Sequence, residues 1–241
     1  MGLMYWQLND IWQAPTWASI EFNLKWKMAH YYVRHMYSPV YLLMRLTPYL
    51  ASVTDDNAKM SLYLVNELTD RTHNQLNCSI QSFDSFNERL SMKYNVITNA
   101  TSVELINSTS YKSLMEQSRC SNGSQCLMRC SLSSNGQLSD EIQTLFFSRP
   151  KDIQLSNPNL RIVSMEEKSS TEISFKIQAD RPALFVWLDL PKEYNGYFSR
   201  NGFHMFEEEV TVTFTSWTTF TNLHIENTDL RITSLYSVTQ L

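Results

Sequence analysis

The sequence contains little glycine, and it has no long apolar run. Only five of its 241 residues are glycine, and no Gly-rich loop of the kind that cradles phosphates occurs among them. No window approaches the roughly 18 to 20 consecutive apolar residues of a membrane-spanning helix. The sequence therefore predicts a chain that does not cross a bilayer and that has no nucleotide cofactor.

Clusters of basic residues and of metal ligands are also lacking. The chain carries 20 basic and 24 acidic side chains, which gives a formal charge of −4, and its five histidines are scattered without metal-ligand spacing. Binding to nucleic acid or to an anionic membrane usually needs a basic patch. We therefore expect no nucleic-acid partner, no membrane and no metal. The 43% hydrophobic content is typical of a folded globular protein of one or two domains.

Cysteine is scarce, but its positions are informative. Three of the four cysteines lie close together in a polar loop, and the fourth lies far upstream: they are Cys78, Cys120, Cys126 and Cys130. A zinc site typically needs paired C-x2-4-C spacings, and no second such pair or nearby histidine is present. The pattern favours disulfides, with free thiols as the alternative. Four cysteines allow three complete pairings, and the sequence does not select one.

Four Asn-X-Ser/Thr sequons fall within the same part of the chain, at Asn77, Asn99, Asn107 and Asn122. Their number is close to the number expected by chance, so only their clustering beside the cysteines carries weight. The first ten residues, MGLMYWQLND, lack the basic and apolar regions of a secretory signal. An exported chain without an export signal leads us to expect a missing N-terminal region.

Residues 1–40 differ in amino-acid composition from the rest of the chain. They hold four of the six tryptophans: Trp6, Trp12, Trp17 and Trp26. Residues 3–8 are apolar almost throughout, which predicts a strand buried on both faces. Apolar residues then recur at helical spacing from Trp26 through Ala29, His30, Val33 and Met36 to Tyr37, and Met28 and Tyr32 widen this stripe. Ser38-Pro39 ends the predicted helix. A lone strand and helix cannot close a core, so residues 1–40 are interpreted as the end of a βα-repeat domain.

From Val40 onward the sequence predicts short strands separated by polar turns, a pattern typical of β-sandwiches. The proline-containing stretch 148–159 is the best boundary, giving one sandwich at 41–157 and a second at 158–241. Val210, Val212 and Phe214 alternate with threonines, as in a half-buried strand. Asn195-Gly196 and Asn201-Gly202 are turn signals. Twelve candidate strands result, at 41–44, 59–66, 75–83, 88–96, 125–132, 141–147, 160–165, 171–179, 183–190, 208–214, 223–226 and 230–235.

Three segments resemble a known family. The stretch YWQLNDIWQAPTWASIEFNLKWKMAHY, residues 5–31, is similar to the eighth strand and helix of the (β/α)8 barrel in β-mannosidases of glycoside hydrolase family 2. PALFVWLDL at 182–190 with GYFSRNGFHM at 196–205 resembles that family's last immunoglobulin-like domain. The 120–130 cysteine loop resembles one in lysosomal animal members. The resemblance implies a mainly β chain, with the last strand and helix of a (β/α)8 barrel followed by two immunoglobulin-like sandwiches.

That resemblance also implies an activity. Family members hydrolyse terminal β-linked mannose in N-glycan-derived oligosaccharides with retention, using two glutamates on barrel strands four and seven. Both positions would precede residue 1, so we expect no catalytic residue in this chain and no activity from the chain alone. The implied partner is a β-mannoside oligosaccharide, the implied compartment is the lysosome, and no cofactor is implied.

What the resemblance leaves for substrate binding is Trp6, Asn9 and Asp10. An indole at the C-terminal end of the last barrel strand can stack on a pyranose, although a tryptophan is also an ordinary core residue. Asn9 and Asp10 either hydrogen-bond a sugar hydroxyl or make a turn. Trp12 and Trp17 either line the aglycone side or pack the loop. Glu21 is expected at the entrance to the helix, where a carboxylate favours the helix dipole rather than catalysis.

A second hypothesis is a non-catalytic secreted β-sandwich protein that binds carbohydrate or a protein partner. The two hypotheses differ in what they require of residues 1–40. A free-standing binder would expose the apolar surface of this strand and helix, which makes such a segment a solubility liability. The retained tryptophans therefore favour the β-mannosidase interpretation.

Overall fold

The computed structural model describes residues 4–13, 15–51, 54–191, 193–219 and 229–239. The chain divides into two compact units, which we name the middle unit, residues 36–156, and the terminal unit, in which residues 1–35 join residues 157–241. Residues 1–35 thus share a unit with the end of the chain, whereas the sequence led us to expect a separate unit at 1–40. The prediction of a mainly β chain is confirmed.

The elements follow one another from an N-terminal helix through fourteen described strands. In chain order they are α1 (Met28–Met36), β1 (Val40–Thr47), β2 (Lys59–Asn66), β3 (Thr72–Ser82), β4 (Glu88–Thr98), β5 (Ser102–Ser110), α2 (Tyr111–Ser118), β6 (Cys126–Ser134), β7 (Gln137–Phe146), a 3₁₀ turn (Pro150–Asp152), β8 (Arg161–Ser169), β9 (Glu172–Gln178), β10 (Ala183–Asp189), β11 (Gly196–Phe198), β12 (Phe203–Met205), β13 (Glu209–Ser216), β14 (Arg231–Thr233) and α3 (Leu235–Thr239). The candidate strand at 223–226 lies outside the described residues.

The middle unit is built from two antiparallel sheets, in the orders β1-β2-β5 and β4-β3-β6-β7. Leu62, Leu76 and Met128 come from both sheets and are fully buried in one shared core. β5 and α2 were not predicted from the sequence. In β5 the apolar side chains of Val103 and Leu105 face solvent, so the strand lacks the buried face that hydrophobic patterning detects.

Two disulfides lie within the middle unit, so the structure selects one of the three possible pairings. Cys78 and Cys130 are direct partners across β3 and β6, and a disulfide joins them. Cys120 and Cys126 close a short loop between α2 and β6. All four cysteines are buried.

The terminal unit also contains two sheets, in the orders β12-β10-β14 and β11-β13-β9-β8. The alternation predicted from sequence for β13 is confirmed: Val210, Val212 and Phe214 are buried, while the threonines between them are exposed or half-buried. One turn signal was wrong. Gly196 begins β11 instead of making a turn, and a Cβ there would meet the Thr215 carbonyl oxygen at 2.2 Å. Glycine is thus required by close strand approach.

Residues 4–8 do not form the predicted buried strand. A strand needs a neighbouring strand whose backbone groups pair with its own. The nearest bridges in this part of the chain are isolated ones that follow the segment, between Asn9 and Ile20 and between Ile20 and Trp26. Its carbonyls instead accept hydrogen bonds from the returning chain, where Ser19 N and Ile20 N donate to Leu8 O at 3.2 and 2.9 Å. The result is a closed loop that leads back toward α1.

The predicted helix is present as α1, and aromatic side chains attach it to the C-terminal sandwich. Trp26, just before the helix, stacks on Tyr197 with ring centroids 4.6 Å apart. The Tyr31 hydroxyl accepts a hydrogen bond from Phe198 N at 3.1 Å. The Tyr32 hydroxyl donates to Gly202 O at 2.7 Å. These contacts explain why residues 1–35 belong to the terminal unit.

The face that α1 buries matches only part of the stripe that the helical spacing indicated, since Trp26, Met28 and Tyr32 contact the sandwich. Tyr31 is the one buried residue of the helix, whereas Met36 and Tyr37 from the predicted stripe are about half-exposed. Spacing detects any apolar face of a helix. It does not detect a contact that depends on tyrosine hydroxyls reaching backbone groups far along the chain.

The Asn201-Gly202 turn, predicted from sequence, positions both β10 and α1. The Asn201 amide pairs with the backbone of Leu188 in both directions, accepting from its N at 2.7 Å and donating to its O at 2.8 Å. Gly202 has a positive φ of 68°, and a Cβ there would meet the Met28 side chain at 2.7 Å. Glycine therefore satisfies both the turn and the close approach of the helix.

We predict that Tyr31→Phe destabilises the terminal unit, because the buried Phe198 N–H loses its acceptor. An unsatisfied buried donor typically costs about 1–3 kcal/mol. The free energy of unfolding, measured by denaturant titration, should fall by this amount. Tyr49→Phe, at a tyrosine that is 67% exposed, is the matched control and should change little. Equal stability of both variants would contradict the proposed contribution of this hydrogen bond.

Candidate functional site

Trp6 presents its indole to solvent. Its side chain is 77% exposed, and it is surrounded in sequence by other large exposed apolar side chains. These are Met4, Leu8, Ile11, Trp12 and Trp17. An exposed aromatic face can stack on the apolar face of a pyranose. The structure therefore leaves Trp6 available for the platform role that the sequence predicted.

Asn9 is exposed, and its backbone is held by the loop. Its side-chain Nδ2 donates to Asp10 O at 3.2 Å, and its own carbonyl accepts from Gln7 Nε2 at 2.9 Å. The side-chain carbonyl oxygen of Asn9 has no hydrogen-bond partner among the described residues. This oxygen can accept a hydrogen bond from a sugar hydroxyl.

Asp10 differs from its neighbour because its carboxylate is directed into the protein. The residue is buried, its Oδ1 accepts from Thr16 Oγ1, and its Oδ2 lies 3.0 Å from Lys27 Nζ. The Thr16 hydrogen bond, more than the Lys27 charge, holds the pKa of Asp10 below its ordinary value against the opposing effect of burial. Both carboxylate oxygens are thus engaged by the protein itself, and Asp10 links Thr16 to Lys27.

A second polar network, which sequence reasoning missed, supports the same loop. The buried Ser19 hydroxyl lies 3.0 Å from His30 Nδ1 and 3.1 Å from the Tyr5 hydroxyl. Burial, with a smaller effect of Arg34, lowers the pKa of His30, which favours the neutral imidazole. Ser, His and Tyr at these separations match no recognised motif, so no sequence signal was available to identify the network.

The described acidic and metal-ligating side chains do not form a catalytic or metal-binding cluster. Glu21 lies seven residues before α1, in a turn where Leu24 N donates to its carbonyl at 2.9 Å, so the expected place at the helix entrance was wrong. Among the described residues no group of three or more His, Cys, Asp or Glu side chains could hold a metal ion. Within the same residues no helix has the length and apolarity needed to cross a membrane.

The four sequons occupy different environments. Asn99, in the turn after β4, and Asn122, in the disulfide-closed loop, are exposed. Asn77 lies half-buried in the middle of β3. The Asn107 amide nitrogen, the atom that would carry a glycan, donates to the Tyr94 hydroxyl at 2.7 Å and so is already engaged in a contact.

Comparison with known proteins agrees with the architecture. Residues 155–238 match the Ig_mannosidase family, an Ig-fold domain. Over 238 residues the chain is 32% identical to the β-mannosidase of Bos taurus, covering 98% of this chain and 26% of that protein. This chain is a relative of the C-terminal part of β-mannosidases. The enzyme of Mus musculus is 30% identical over 219 residues, 90% of this chain and 24% of that protein.

Solved structures show the same fold. The β-D-mannosidase of Dictyoglomus thermophilum superimposes with a TM-score of 0.67 at 18% identity, over 95% of this chain and 25% of that one. The exo-chitosanase CsxA of Amycolatopsis orientalis gives 0.57 at 12% identity, over 97% of this chain and 30% of that one. The chain thus spans about a quarter of the length of the β-mannosidases it matches.

We predict that Asp10→Asn loosens the loop around Trp6, because Thr16 and Lys27 lose their carboxylate. The melting temperature of the terminal unit should fall. Since the folded pKa is depressed, this stabilisation is present above the unfolded value of about 3.9 and is lost as pH falls through the lower folded pKa. The difference between wild type and variant should therefore shrink in strong acid.

The matched control for this change is Asp56→Asn. Asp56 also pairs with a lysine, Lys112 at 3.0 Å, but both side chains are at least half-exposed. Exposed pairs contribute little to stability. Equal decreases in melting temperature for the two variants at neutral pH would contradict the role of Asp10 in stabilising the loop through Thr16 and Lys27.

Proposed function

We propose that this chain is the C-terminal part of a β-mannosidase, a retaining glycoside hydrolase that removes terminal β-linked mannose from N-glycan-derived oligosaccharides. Residues 1–40 would complete the enzyme's (β/α)8 barrel, and both catalytic glutamates would belong to another part of the protein. The observation that carries the proposal is similarity along 98% of this chain to a quarter of a β-mannosidase. The chain by itself would then bind no β-mannoside productively.

The surface of residues 4–24 supports a barrel contact. Besides Trp6, seven large apolar side chains in the described part of this segment are at least half-exposed: Met4, Leu8, Ile11, Trp12, Trp17, Phe22 and Leu24. Such a concentration of exposed apolar groups is typical of an interaction surface. The family resemblance predicts that other elements of the (β/α)8 barrel cover this surface.

Within that enzyme we assign Trp6 to substrate stacking and Asn9 to a hydrogen bond with a sugar hydroxyl. Asp10 serves the site indirectly, by fixing the loop that carries them. The exposure of Trp6 and the side-chain oxygen of Asn9, which has no partner among the described residues, support the first two roles. The contacts of the buried Asp10 carboxylate with Lys27 and Thr16 support the third.

We place the protein in the secretory pathway, with the lysosome as its destination. Two disulfides and two exposed sequons, at Asn99 and Asn122, support this compartment. All four sequons are candidates for glycosylation. Exposure favours Asn99 and Asn122 over Asn77 and Asn107.

An antibody to residues 151–241 tests the function on the native protein. We expect it to precipitate a protein several times heavier than 28.2 kDa after deglycosylation, and the precipitate should hydrolyse a p-nitrophenyl β-mannoside but not the α-anomer. A native protein near 28.2 kDa without hydrolase activity would overturn the proposal. That outcome would favour the non-catalytic carbohydrate- or protein-binding sandwich instead.

We predict that Trp6→Ala in the complete enzyme lowers kcat/KM for a β-mannoside about tenfold, corresponding to about 1.4 kcal/mol of lost stacking. Trp17→Ala is the matched control, because Trp17 is 84% exposed in the same segment and has no assigned contact with the sugar. Steady-state kinetics on both variants provide the comparison. Equal losses would remove the specific role of Trp6.

A further inference from the structure

A groove in the middle unit lies beside the sequon at Asn122. Its volume is about 330 Å³, within the range of roughly 300–1,000 Å³ that small-molecule sites occupy. Leu50 and Ala51 form an apolar wall, while Ser148, Arg149 and Asp152 supply polar groups. Asn122, Gly123 and Ser124, the three residues of the sequon, belong to the lining themselves.

The sequon is held rigidly at the edge of this groove. The Cys120–Cys126 disulfide closes the loop, and within it Gln125 N donates to Asn122 O at 3.3 Å while the Gln125 side chain accepts from Ser121 N at 3.0 Å. Beneath the loop, a Cβ on Gly123 would meet both Phe147 and the Tyr111 hydroxyl at 2.8 Å. Glycine therefore allows the sequon to lie directly on the core.

The Asn122 side chain is oriented by its own sequon. Its Oδ1 accepts from both the backbone N and the hydroxyl of Ser124. The amide nitrogen Nδ2, the atom to which an N-glycan is joined, has no partner among the described residues. A sugar attached there leaves from a fixed point, so little conformational freedom is lost when it contacts the groove.

Polar groups of the groove remain available for a sugar. Arg149 uses Nε to bind Asp152 at 2.7 Å, and its terminal guanidinium nitrogens have no partner among the described residues. Ser148, which also lines the groove, has a buried hydroxyl with no hydrogen-bond partner among the described residues. Guanidinium donors suit the acetamido carbonyl and hydroxyl oxygens of N-acetylglucosamine, and the apolar wall suits its C–H face.

We propose that this groove binds the proximal N-acetylglucosamine of a glycan attached to Asn122, so that the glycan becomes part of the folded middle unit. The proposal rests on the secretory compartment given under the proposed function. It assigns a structural site to one sequon and none to the other exposed sequon, Asn99, which lies in a turn.

The test uses the complete protein secreted by cultured animal cells. Peptide-N-glycosidase is applied to the native protein, and release is followed at each site by mass spectrometry. We expect release at Asn122 to be at least about tenfold slower than at Asn99, and Arg149→Ala to accelerate release at Asn122 alone. Lys112→Ala, which removes another exposed ion-paired cation of the same unit, should leave both rates unchanged.

Thermal unfolding gives a second readout. Arg149→Ala should lower the melting temperature of the glycosylated protein but not of the Asn122→Gln protein, in which the groove has no sugar to bind. Equal release rates at the two sites, or the same Arg149 effect in both backgrounds, would overturn the proposal.

Site occupancy separates the two levels of inference. Glycan at Asn99 without glycan at Asn122 would overturn the groove proposal and leave the secretory assignment intact. No glycan at any sequon would overturn both the groove proposal and the compartment, whereas the β-mannosidase activity is tested independently by immunoprecipitation.

Discussion

The terminal unit depends on the attachment of α1 to the Asn201-Gly202 turn and to β11. The phenol of Tyr31 accepts the Phe198 N–H, and the surrounding burial raises the pKa of Tyr31 to about 12, so the hydroxyl stays neutral throughout the physiological range. Trp26 and Tyr32 contact the same part of the sandwich from either side. Residues 1–35 are thereby made part of the unit that contains the immunoglobulin-like domain, and the loop bearing Trp6 is anchored through α1.

Sequence patterning predicted the parts of the fold that leave a local signal in the sequence, either a regular period or a characteristic turn or helix-ending dipeptide. The alternation in β13, the sandwich strands, the end of α1 shortly before Ser38-Pro39 and the Asn201-Gly202 turn all leave such local signals. What patterning missed depends on distant partners. The strand expected at 3–8 from its apolar run needs neighbouring strands in order to form, whereas β5 exposes its apolar residues. Hydrophobic content therefore predicts a strand that is not formed in the first case and misses one in the second.

The candidate site divides in the same way. The motif around Trp6 identified a platform and an adjacent polar pair, but only the structure separates Asn9 from Asp10. The two residues differ because one side chain points out of the loop and the other meets Lys27, seventeen positions later. No spacing rule connects residues 10, 16 and 27 before the loop is folded. The Tyr5–Ser19–His30 network was unpredictable for the same reason.

The Cys120–Cys126 disulfide and the proposed glycan site of the middle unit belong to one loop. Cys78–Cys130 ties two central strands, whereas Cys120–Cys126 ties a loop, and only the second brings a sequon to a groove. A loop of this kind without its disulfide would have to lose conformational entropy before the sugar could meet Arg149. With the disulfide, the ordering has already taken place, so under the groove proposal the contacts made by the first sugar would add directly to stability. In that proposal the Cys120–Cys126 disulfide and the sequon at Asn122 form one structural feature.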